Sequence, residues 1–198
     1  MSRGKIAPAI AATAALLAAG PAAAHTAAGT VSGLTTGFVH PIAGLDHILA
    51  MIAVGVLAVQ LGGRALWSVP LAFVAMMIVG GMLGMASAAV PFVEYGVAGS
   101  VVLLGAVIAF GRRLSIGLAT GLAGFLAIFH GHAHGTEMAA GASAVEYAVG
   151  FLAATILLHA GGIALGAAAR RLTADVAGLA VRAGGGAIAT AGIALAVS

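Results

Sequence analysis

Seven histidines and five acidic residues are spread through the 198 residues of this chain, and most of them fall in a few short stretches. HPIAGLDH holds His40, Asp46 and His47, and FHGHAHGTE holds His130, His132, His134 and Glu137. Glu94, Glu146 and His159 stand by themselves in apolar surroundings. Cysteine is absent, so thiolate sites, disulfides and thiol redox chemistry are excluded. Imidazole nitrogens with carboxylate oxygens and no thiolate suit Ni²⁺, Co²⁺, Zn²⁺ or Cu²⁺. In a helix, His130, His134 and Glu137 share one face at i, i+4 and i+7; Gly131 and Gly135 leave a loop equally open. Asp46 is next to His47 in the chain and is not expected to orient that ring. It reads instead as a ligand, or as an acceptor for a neighbouring ring.

The elements that carry these residues are set by composition. Hydrophobic residues make up 62% of the chain and charged ones 7%, with a mean hydropathy of +1.18. Soluble domains carry about 25% charge, so the chain reads as an all-α integral membrane bundle. A net charge of only +3 does not argue for nucleic acid as a partner; lipid is the expected surroundings. Residues 1–24 have the form of a cleavable signal peptide: Arg3 and Lys5, a short apolar run, and an A-x-A pattern ending at Ala24. Cleavage there makes His25 the first residue of a mature domain, residues 25–198. Its α-amine and ring together would form a ready chelate.

Six apolar spans follow, over residues 41–61, 66–86, 91–110, 114–130, 143–167 and 176–197. Most approach the roughly 20 residues that a membrane-crossing helix needs. Arg64, Arg112, Arg113, Arg170 and Arg171 all fall in the first, third and fifth breaks. The positive-inside rule makes those breaks cytoplasmic, which leaves both mature termini outside. Pro41 suits the first position of a helix and puts His40 at its outer mouth. Glu94 then starts the third span, the FHGHAHGTE histidines lie at or above the outer surface, and His159 sits about 24 Å down the fifth span. Gly80-x-x-x-Gly84, Gly117-x-x-x-Gly121 and Gly162-x-x-x-Gly166 allow close helix approach. Met76, Met77, Met82 and Met85 read as flexible packing. Intramembrane ionisable groups point to a functional site.

HPIAGLDHILAM resembles the H-P-x-x-G-x-D-H signature of the HupE/UreJ family of nickel/cobalt permeases. The likeness extends through VEYGVAGSVVLLG, FHGHAHGTE and YAVGFLAATILLHAGG, covering essentially the whole mature chain. It implies a signal peptide followed by six helices in the inner membrane. It also implies uptake of Ni²⁺ or Co²⁺ as cargo, with no prosthetic group, for a downstream metallochaperone or for maturation of a metalloenzyme or cobalamin. Motif matching carries the metal-binding role onto His40, Asp46, His47, His130, His134 and Glu137, and with less definition onto Glu94, His132 and His159. His25 is added from the cleavage point alone. A homo-oligomer is compatible with all of this. No G-x-x-x-x-G-K-[ST] loop is present, so the chain is not expected to hydrolyse ATP itself, nor to act as an enzyme. Two rivals use the same residues. One is a b-type cytochrome with His47, His130 or His159 as axial ligands. The other is a zinc-dependent intramembrane hydrolase with Asp46, Glu94 or Glu137 as base.

Overall fold

The computed structural model describes residues 33–111, 114–138 and 143–197. The expected signal peptide, His25, Arg112 and Arg113 lie outside the described residues. Within them there are seven helices and no strand: α1 (Gly33–Ala43), α2 (Leu45–Leu61), α3 (Ala65–Met85), α4 (Val93–Phe110), α5 (Ile116–Glu137), α6 (Ala144–Ala169) and α7 (Ala174–Ala196). Helices α3 to α7 are each long and apolar enough to cross a membrane, and α1 with α2 makes a sixth span if the bent pair is counted as one. In lipid, every backbone N–H and C=O must be satisfied within the segment, which a helix achieves unaided. Leu165, Leu179 and Ile193 are exposed, an outward apolar surface suited to acyl chains. The chain is a multi-pass membrane protein.

The first span differs from expectation. Pro41 does not open a helix; it lies in the last turn of α1, and the break comes three residues later at Gly44, with an 80° bend into α2. Proline removes a single hydrogen bond there, and the helix is about to end in any case. Gly44 takes an extended conformation (φ −91°, ψ 120°) and starts α2 afresh. The fourth span differs too. It was expected to end at His130, but α5 continues to Glu137. Gly131 and Gly135, which left a loop open, serve instead as contact points, since a Cβ on either would collide with the backbone of Met77 or Gly81 in α3.

Small residues decide which helices meet. Gly80 and Gly84 of α3 approach the backbone of α5 at Ile128 and His132, and Gly162 and Gly166 of α6 lie on α2 at Ile52 and Val59. Gly117 and Gly121 face open space, so that third motif mediates no approach. Helix α2 forms the centre: Ala50, Met51, Ala53, Val54, Leu57 and Ala58 have no exposed surface. At one end of the bundle, Arg170 and Arg182 line a cavity of about 330 Å³ with Gln60 and Gly111. There the Arg182 Nε–H donates to the Ala109 carbonyl at 3.0 Å, closing the C-terminus of α4. Among the described residues, His40, His47, His130, His132 and His134 lie toward the other end, with His159 deeper in the bundle.

Candidate metal centre

The break at Gly44 sets the geometry of the site. It lets α1 deliver His40 from its last turn while α2 delivers Asp46 and His47 from its first. Helix α5 brings His130, His134 and Glu137 on one face, as the helical spacing requires. The His40 Nε2 lies 3.1 Å from Glu137 Oε2. His40, His134 and Glu137 each offer one donor atom, and the three atoms lie within 4.8 Å of one another. Two donors at about 2.1 Å from one ion stand at most about 4.2 Å apart, so a small rotamer adjustment closes this set on a cation.

The rings continue inward from there. The His134 centroid is 4.6 Å from that of His40 and 4.3 Å from that of His47. His47 is in turn 4.9 Å from His130, with the two rings perpendicular. Phe73 of α3 then stands between two histidines, 5.7 Å from His130 and 5.3 Å from His159. The phenyl ring of Phe73 is wholly buried. Tyr147 and Phe151 of α6 are stacked with each other and wall the outer rings, at 6.2 Å from His40 and 4.1 Å from His134 respectively.

Asp46 departs from the sequence reading: it does orient its own neighbour. Its Oδ1 accepts the backbone N–H of His47 at 2.8 Å and is hydrogen-bonded to the same residue's Nδ1. The reason is positional. The first-turn N–H groups of a helix have no intrahelical partner, so the carboxylate folds back over the turn and meets the ring hanging from it. The His47 Nε2 is thereby left buried with no hydrogen-bond partner, as are His130 Nδ1, both ring nitrogens of His134, and His159 Nε2. Native interiors pair nearly all buried polar atoms. His132 Nδ1, Gln60 Oε1 and the Tyr147 hydroxyl are unpartnered as well; what sets His47, His130 and His134 apart is that their orphaned nitrogens sit on adjoining rings, a donor set suited to an electrophile.

Two candidates lie elsewhere. His132 points away from the cluster, and its Nε2 donates to the Ala88 carbonyl at 2.7 Å, tying α5 to the loop after α3. Glu94 is exposed in the first turn of α4 and is not part of the donor set. Two participants had no signal in the sequence. Ser100 of α4, wholly buried, reaches His130, and Phe73 reads as one more apolar residue in a span.

Helices that cross a membrane around a cluster of buried imidazoles, with an exposed carboxylate at its outer edge, define a polytopic membrane protein with the makings of a cation site. A family profile for HupE / UreJ proteins matches residues 13–195, and the chain belongs to that family. It is 48% identical over 162 residues to Protein HupE of Rhizobium leguminosarum bv. viciae, covering 81% of this chain and 83% of that one. No solved structure matches.

Proposed function

We propose that the chain is an inner-membrane permease that takes up Ni²⁺ or Co²⁺. One observation carries this reading: imidazole rings from four helices form a graded row rather than one closed cage. The row starts at the mixed nitrogen and oxygen set of His40, His134 and Glu137, continues through His47 and His130, and resumes beyond Phe73 at His159. Imidazole suits these borderline cations. An ion enters at the outer set, is passed to the all-nitrogen positions through their shared His134, and reaches His159 when Phe73 moves. His25, freed by signal cleavage, recruits the ion at the mouth.

In this reading the opposite end faces the cytoplasm and both mature termini are periplasmic, which the positive-inside rule supports through the arginine-bearing breaks. A metallochaperone or a metalloenzyme maturation system then receives the ion. A hydrolytic reading needs a free carboxylate facing the cluster. Asp46 is engaged with His47, Glu94 is exposed outside the donor set, and Glu137, which does face the cluster, is paired with His40 as one of the outer ligands.

The test is uptake of radioactive Ni²⁺ and Co²⁺ by cells expressing the chain, beside an equally abundant His47→Ala variant. Uptake that needs His47 is expected, and the ratio of the two metals gives the preference. Equal uptake by both proteins overturns the reading.

A further inference from the structure

We propose that Ser100 is a positioning residue that selects the tautomer of His130 and so makes its Nδ1 a lone pair offered to the cargo ion. The identity of the cargo rests on the permease reading; the hydrogen-bond logic does not. Ser100 is wholly buried in α4. Its Oγ lies 2.6 Å from the Val97 carbonyl and 2.7 Å from His130 Nε2. A carbonyl oxygen has no proton, so the serine hydroxyl must donate to Val97. That spends the only hydroxyl proton. The contact to His130 is then a hydrogen bond only if Nε2 carries the proton and donates to Oγ. In a neutral imidazole, the other nitrogen is left as an acceptor.

That other nitrogen, His130 Nδ1, is the one buried with no partner. The ring lies 4.9 Å from His47 and perpendicular to it. His47 is set in the opposite sense, with Nδ1 against Asp46 and Nε2 free. Two unlike residues on two different helices thus leave one lone pair on each of two adjacent rings. A histidine with no such constraint populates both tautomers, and the wrong one presents an N–H that no cation binds. Outer partners that fix a ligating ring in this way typically change metal affinity 10–100-fold on mutation. Without this role, Ser100 would be a helical serine satisfying the carbonyl three residues back, with no influence on the ring.

The experiment uses the full chain, ¹⁵N-labelled at histidine, in detergent with a chelator. It is run at about pH 8.5, well above the free histidine value of about 6.5, so that the rings are neutral. Ring ¹⁵N shifts separate protonated from unprotonated nitrogens, and a His130→Gln variant identifies the His130 signals. The expected wild-type result is a single His130 tautomer protonated at Nε2. Ser100→Ala should convert it to a mixture or to the Nδ1–H form. Ser100→Thr, whose hydroxyl can take the same carbonyl, should restore it. Co²⁺ affinity should fall about 10–100-fold in Ser100→Ala and recover in Ser100→Thr. A wild-type Nδ1–H form overturns the inference, whether or not Ser100→Ala folds. An unchanged tautomer in Ser100→Ala, or a changed one with unchanged Co²⁺ affinity, also overturns it. A changed tautomer with weakened Co²⁺ binding, in a protein that takes up neither metal in cells, supports the inference and removes the permease reading instead.

Discussion

His134 is the hinge of the cluster: it belongs to the outer donor set with His40 and Glu137, and its ring also abuts His47. It is 3% exposed, and neither ring nitrogen has a partner. Each unpartnered polar group held in an interior costs about 1–3 kcal/mol by protein mutational data. Leucine has a similar volume and no polar atom, and such a swap usually costs less than about 1.5 kcal/mol in repacking. Two relieved groups less that cost leave a net gain of about 0.5–4.5 kcal/mol for His134→Leu in the metal-free protein. At about 2–4 °C per kcal/mol for a chain of this size, Tm should rise by about 1–18 °C. The assay is thermal unfolding in detergent with chelator, followed by the same scan with Ni²⁺. Wild type should gain about 2.7 kcal/mol at a hundredfold excess over Kd, and the variant should gain little. A lower Tm for the metal-free variant would refute the claim that these nitrogens are a standing cost. An undiminished Ni²⁺ shift would remove His134 from the ligand set.

Other perturbations separate entry, passage and packing. Glu137→Gln keeps the shape of the outer set but removes its charge, so the Ni²⁺ concentration for half-maximal uptake should rise about 10–100-fold with little change in the maximal rate. An unchanged half-saturation point would exclude Glu137 from capture. His159→Ala should slow uptake while leaving Co²⁺ affinity of the purified protein unaltered, because Phe73 separates His159 from the outer rings. Loss of equilibrium binding in that variant would contradict the separation. Gly131→Ala drives a methyl group into the Met77 carbonyl and should cost about 1–3 kcal/mol or more. Gly117→Ala meets nothing and should gain up to about 1 kcal/mol from helix propensity. Comparable thermal stability in those two variants would undo the packing account of α3 against α5.

Much of the architecture was legible because it follows from local composition. Long apolar runs with few charges can only be helices in lipid, and expected spans such as 66–86 and 91–110 fall close on Ala65–Met85 and Val93–Phe110. The common face of His130, His134 and Glu137 follows from helical periodicity once α5 is known to continue. What hid that continuation was glycine, which reads as a breaker in sequence but here allows two helices to touch.

By itself, then, the sequence determined a helical membrane protein rich in imidazole and carboxylate and lacking thiolate. It also set which side chains share a helix face. Which neighbours those faces meet was decided by tertiary structure. Gly80 and Gly84 lie against α5 while Gly117 and Gly121 face nothing, although the spacing is the same. Asp46 turns back onto His47, His132 is drawn off to Ala88, and Ser100, thirty residues from His130, comes within hydrogen-bonding distance of it. The physical reason is that periodicity fixes the angle around one helix axis. Contact across helices depends on where the second axis lies and on which rotamer the space between them leaves open.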